Sequence, residues 1–191
     1  RTYAYVANYY GGTGNDLVLQ WAGVRALAWG RNTYGQLGSG ETTDSKVPAP
    51  VVASGVLSGK VILMLAAGRS HSLALCSDGT MAAWGRNQYG QLGDGSGTDR
   101  MEPVAVDQSG VLTGKTVIAI AAGGDHNLAL CSDGIAVSWG FNGYGQLGNN
   151  STTQSSSPVA VVSNGDLSGK ILFSVLAGTN HSVAICTDGT M

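Results

Sequence analysis

A chain of 191 residues is long enough to bury the core of one ordinary domain, and its 43% hydrophobic content supplies the burial that disordered chains lack. With 12% charged residues and a net charge of −2, nothing electrostatic points to nucleic acid. The longest apolar runs, 61–67 and 117–122, are far too short to cross a bilayer as helices, so no membrane span is expected.

At the start of the chain, TYAYVANYY and DLVLQW are two β-rich runs separated by GGTGN, which predicts a hairpin over residues 1–22. This segment lies outside the pattern that follows and reads as the end of an upstream β-rich domain. GGTGNDLVL also fits the nonapeptide of calcium-binding β-roll repeats, which makes Asp16 the one candidate metal ligand. Such sites draw oxygen ligands from successive copies, and only one copy is present.

From Ala26 onward the chain repeats at one fixed interval, without an insertion or deletion. Trp-Gly pairs stand at 29, 84 and 139, YGQLG at 34, 89 and 144, prolines at 48, 103 and 158. His71, His126 and His181 follow, then Cys76, Cys131 and Cys186, then Asp-Gly at 78, 133 and 188. The units run over about 26–80, 81–135 and 136–190, within a domain of residues 23–191. Four short strands fit each unit: the segment ending on Trp-Gly, one just beyond the proline (50–53, 104–106 and 159–162), the apolar run of 61–67 and its copies, and the segment from 72 to 76 with its copies. The apolar run lacks alternation and predicts a strand buried on both faces. Asp-Gly is a hairpin turn signal, and the polar stretch at 39–48 reads as a long surface loop. Gly, at 30 of 191 residues, suits the many turns. No segment carries a 3.6-residue stripe, so the fold class is all-β, with three four-stranded antiparallel blades.

AWGRNxYGQLG, a polar loop with proline, and AAGxxHSLALCSDG together resemble the repeat of the RCC1 (regulator of chromosome condensation) family. The resemblance covers the chain from about Ala26 onward and implies a seven-bladed β-propeller closed by strands from both termini. Seven such units would need about 385 residues, so the chain reads as an open arc with two unsatisfied blade faces. It ends in DGTM, which in the first unit is followed by AAWG, so a fourth unit and the remaining blades are expected beyond Met191.

The repeated residues read as structure. Each His occurs once per unit, too far from its copies to share an ion, and predicts a hydrogen-bonded packing element. No nucleophile elbow is present. The three Cys lack metal-ligand spacing and lie a blade apart, beyond disulfide reach, so they read as buried thiols. Trp29, Trp84 and Trp139 read as core between blades. In the family's plant ultraviolet photoreceptor branch, the light-sensing tryptophans belong to G-W-R-H-T motifs. Arg69, Gly124 and Thr179 stand at that Trp position here, which argues against photoreception.

Function is expected where the copies differ: the loops at 39–47, 94–102 and 149–157, represented by Glu41, Arg100 and Gln154, and the short links bearing Arg69, Asp125 and Asn180. The expected function is a non-enzymatic protein-interaction module without a cofactor. Its setting would be a larger, secreted or cell-surface bacterial RCC1-like protein whose partner the sequence does not name. Guanine-nucleotide exchange on a small GTPase, as in the family's founding member, is the alternative, although no contact hairpin interrupts the three units. An enzyme site in the propeller channel, tested at His126 or Asp125, is the third reading.

Overall fold

The computed structural model describes residues 5–9, 17–21 and 25–187. Fourteen strands are found among them. β1 (Tyr5–Tyr9) and β2 (Leu17–Trp21) form an antiparallel hairpin, with Tyr5 opposite Trp21 and Tyr9 opposite Leu17. β3 (Leu27–Gly30) and β4 (Ser45–Pro50) form a second two-stranded sheet. Two complete four-stranded meanders follow. One is β5 (Ile62–Ala67), β6 (His71–Cys76), β7 (Met81–Gly85) and β8 (Arg100–Ala105). The other is β9 (Val117–Ala122), β10 (His126–Cys131), β11 (Ala136–Gly140) and β12 (Ser155–Ala160). β13 (Ile171–Ala177) and β14 (Ser182–Thr187) pair at the far end.

Sequence unit and structural blade are therefore out of step. Each unit supplies the last two strands of one sheet and, after the Ser-Gly-Lys or Thr-Gly-Lys turn, the first two of the next. The twelve strands from β3 to β14 divide into two whole blades flanked by two half-blades. This leaves an open arc, an all-β propeller architecture with unsatisfied ends.

Burial explains the strand order. β6 and β10 lie in the middle of their sheets and are almost wholly buried, as runs of Leu and Ala require. The innermost strands differ from the sequence expectation of burial on both faces. β5, β9 and β13 are edge strands, and each shows a register shift in its pairing, with Leu63, Ile118 and Phe173 exposed. The outermost strands begin earlier than expected, at Ser45, Arg100 and Ser155, and take in the prolines at 48, 103 and 158. A sheet's outer edge tolerates a residue without an N–H, which is why proline sits there.

The core lies between successive sheets. Leu73, Leu75, Met81 and Ala83 of the first whole blade pack against Val117, Ile120, Val137 and Trp139 of the second. Ala26, Val51 and Leu57 pack on Cys76, Ala82 and Trp84 in the same way. Cys76 and Cys131 are buried free thiols and Cys186 is half-buried. Burial pushes the Cys76 and Cys131 thiols above their ordinary pKa, which keeps them protonated.

Candidate functional site

A four-stranded meander puts its first and third connections at one end and its second at the other. The links at 68–70 and 123–125 therefore share an end with the long YGQLG loops, and the Asp-Gly turns lie opposite. At that opposite end Lys60 meets Asp78 at 2.9 Å and Lys115 meets Asp133 at 2.5 Å. The hydrogen bond from Lys60 holds the Asp78 carboxyl down to about 2.

At the link-and-loop end, a buried asparagine organises each loop. Asn87 Oδ1 accepts the Leu92 N–H at 2.9 Å, its amide donates to Asp94 Oδ1 and Ser96 O, and its own N–H reaches Asp99 Oδ1 at 2.7 Å. Asn32 and Asn142 repeat the first of these bonds, to Leu37 and Leu147. The first two loops then press on the next blade. A side chain at Gly90, where φ is +76°, would run into the Ser156 backbone, and one at Gly93 would lie 2.7 Å from the Trp139 indole nitrogen. Only glycine permits that approach.

The blades are stitched together through the loop carbonyls. Trp84 Nε1 donates to Gln36 O at 2.9 Å and Trp139 Nε1 to Gln91 O at 3.1 Å. The same carbonyls accept from Ser72 Oγ and from the Asn127 amide. Because that amide is used as a donor, Asn127 Oδ1 is left to accept from His71 Nε2–H at 2.9 Å. Likewise Ser182 Oγ donates to Gln146 O and accepts from His126 Nε2 at 3.0 Å. Burial pushes the His71 pKa below its ordinary value. Burial, and the neighbouring imidazoles His71 and His181, push His126 to about 4. Both rings are neutral at pH 7, and among the described residues their Nδ1 atoms have no hydrogen-bond partner. His181 is exposed.

On the outer surface of this end, side chains from different blades form a continuous row. The Arg86 guanidinium lies 5.2 Å from the Tyr34 ring and 5.5 Å from the Tyr89 ring, within cation–π range. Tyr89 packs on Phe141 at 4.9 Å, and Phe141 meets Tyr144 edge-on at 5.9 Å. Tyr144 is 73% exposed. Arg31, Arg86 and Phe141 occupy equivalent positions, so the row changes character from cationic to aromatic along the arc.

Beside the row, Asp125 gathers Arg69 at 3.8 Å, Arg86 at 3.9 Å and the Gln91 side-chain amide at 3.1 Å. Asn180 stands where Asp125 does one blade earlier, and among the described residues the buried Gln146 Nε2 there has no hydrogen-bond partner. Of the other expected contact residues, Glu41 and Gln154 are exposed in their loops. Arg100 is tied to Asp94 at 3.1 Å. Trp84 and Trp139 are 2% and 0% exposed, but Trp29 is 62% exposed. Asp16 and Asp188 lie outside the described residues. Among the described residues no three His, Cys, Asp or Glu side chains converge as a metal site would require, and no helix is long and apolar enough to cross a membrane. The sequence pattern showed neither the asparagine cradle nor the aromatic row. Asn32, Asn87 and Asn142 did recur once per unit and were the available signal.

Four-stranded meanders locked blade to blade by one Trp and one His each define a β-propeller repeat protein. Residues 25–75, 78–130 and 133–185 match the family model described as regulator of chromosome condensation (RCC1) repeat, and residues 117–146 match a second model of that description. The chain belongs to the RCC1 repeat family. It is 32% identical to the ultraviolet-B receptor UVR8 of Arabidopsis thaliana over 94% of its own length and 39% of the receptor, an alignment that reaches into the residues before Arg25. It is 37% identical to the probable E3 ubiquitin-protein ligase HERC4 of Homo sapiens over 83% of the chain and 14% of the ligase. Prp20p of Saccharomyces cerevisiae, whose structure was described with its binding to Gsp1p and histones, superposes with a TM-score of 0.73 at 24% identity, covering 86% of this chain and 41% of that one. The chain thus spans well under half the length of these relatives.

Proposed function

We propose that this chain is a non-enzymatic protein-interaction module that docks its partner on the link-and-loop face. The row Tyr34, Arg86, Tyr89, Phe141 and Tyr144 carries this reading. Large, stiff aromatic side chains interleaved with arginine are the composition of protein-binding hot spots. Beside the row Arg69 and Arg86 share one carboxylate, Asp125, at 3.8 and 3.9 Å, so the row favours a partner segment with acidic and apolar groups. Relatives include proteins named as a receptor and a ligase, and the structurally similar Prp20p was described with its binding to Gsp1p and histones, which supports docking as a use of the fold. The secreted or cell-surface bacterial setting expected from the sequence stays part of this proposal.

The test compares variants of the two faces. Proteins cross-linked in the source cells by the unsubstituted chain are quantified against those held by Arg86→Glu with Tyr144→Ser, and by Lys60→Glu on the opposite face. The expected result is at least about a tenfold loss for the first variant and an unchanged set for the second. Loss with Lys60→Glu alone would assign docking to the other face. Equal binding by all three would remove the proposal.

A further inference from the structure

We infer that the β1–β2 hairpin is the inner half of the first blade, seated beside β3 and covering the inner face of β5, rather than the end of a separate domain. As they stand, β1–β2 and β3–β4 are separate two-stranded sheets, and among the described residues the edge of β3 away from β4 is unpaired. In the whole blades that edge is taken by the second strand: β6 pairs β7 with Leu73 opposite Ala83, and β10 pairs β11 with Leu128 opposite Ser138.

The face waiting for cover is identified by equivalent residues. Ile120 in β9 is 6% exposed, buried against the sheet before it, and its counterpart Val175 in β13 is 8% exposed. Leu65 holds the same place in β5 and is 53% exposed. Beside it a cavity of about 430 Å³ is lined by Ala28, Trp29, Leu65, Ala67, Ser72 and Trp84. That cavity lies where the first two strands of the blade ending in β3–β4 belong.

The occupant is written directly before β3 in the sequence. Set one position off the repeat interval, Asp16-Leu17-Val18-Leu19 falls on Ser72-Leu73-Ala74-Leu75, and Gly23 falls on Gly79 of the Asp-Gly turn. That single-residue slip hides the unit from a strict period. The strands already pair in the antiparallel sense that blade positions one and two require, with Ala7 opposite Leu19 as Met64 is opposite Leu75. The Arabidopsis receptor aligns over part of the same segment.

The register predicts Leu17 opposite Ala28. The experiment places cysteines there (Leu17→Cys with Ala28→Cys) in the 191-residue chain with Cys76, Cys131 and Cys186 changed to Ala, and follows oxidation by non-reducing peptide mapping. The shifted pair Val18→Cys with Ala28→Cys is the comparison. Paired strands bring Cα atoms within the roughly 4.4–6.8 Å that a disulfide needs. The expected result is an intrachain Leu17–Ala28 cross-link in most monomers, formed at least about tenfold faster than the shifted pair. A cross-link between chains would assign the groove to a second copy, and none at all would leave it uncovered; either overturns the inference. Hydrogen exchange on the unsubstituted chain checks the result independently of these variants. The amides of 17–21 and 27–30 should be protected as strongly as those of 71–76, and exchange at unpaired rates overturns the inference.

Discussion

The interface between the two whole blades and the exposed edge at β3 are built from the same residue types and end differently. Trp139 is covered because a loop carbonyl and a glycine precede it on the neighbouring blade. Trp29 has no such neighbour among the described residues and stands in solvent. At the other end Gly148 meets only the Val161 side chain, at 3.3 Å, where Gly38 and Gly93 each abut an indole. A propeller residue is thus buried by the blade beside it and not by its own sheet, so each copy of the repeat is only half of its own environment.

The sharpest way to break that comparison is to truncate the two tryptophans. Trp139→Ala should cost about 3–5 kcal/mol, whereas Trp29→Ala should stay within about 0.5 kcal/mol, both read from urea denaturation midpoints. Equal losses would mean that Trp29 is covered in solution. A smaller effect is expected at Asn127, which links His71 to the Gln91 carbonyl. Asn127→Ala should cost about 1–3 kcal/mol by stranding buried polar groups, while Asn180→Ala, on the exposed link, should change stability by less than about 0.5 kcal/mol.

Acid provides a third contrast. His126 has a folded pKa of about 4, below the ordinary value near 6.5, so the unfolded chain binds its proton first. Its neutral ring favours the folded state fully above pH 6.5, and that contribution is lost as pH falls from 6.5 to 4, with His71 acting in the same direction. His126→Asn should therefore flatten the stability profile between those pH values, whereas Asn180→Ala, which removes no titrating group, should leave the profile's shape unchanged. The smallest effect belongs to the opposite face, where Asp78→Asn should cost no more than about 1 kcal/mol, because Lys60 and Asp78 meet in solvent.

Much of the fold was legible because the packing elements repeat. The Trp-Gly, His and Asp-Gly positions marked strand ends at Trp29, Trp84 and Trp139 and turns at Asp78 and Asp133. The blade boundary was not legible, since a repeat read from any starting point looks equally complete. Only the hydrogen bonding of β6 to β7 and of β10 to β11 shows where a sheet begins. The outer strand was expected only beyond the prolines at 48, 103 and 158, whereas it begins before them, because the outer edge accepts a residue without an N–H. The links at Arg69, Asp125 and Asn180 could be named as variable. Arg86 between Tyr34 and Tyr89 could not be seen, because those rings belong to successive copies of the repeat, remote along the chain and neighbours only in space.

By itself the sequence determined the all-β class, the period, and the residues that every blade uses: those follow from strand propensity, turn chemistry and repetition, all of them local. Only the tertiary structure decided which of three identical tryptophans is buried, which histidine finds an acceptor, and which aromatic side chains meet on one face. Those outcomes depend on the blade alongside, and the neighbour of a residue in a propeller is never its neighbour in the chain.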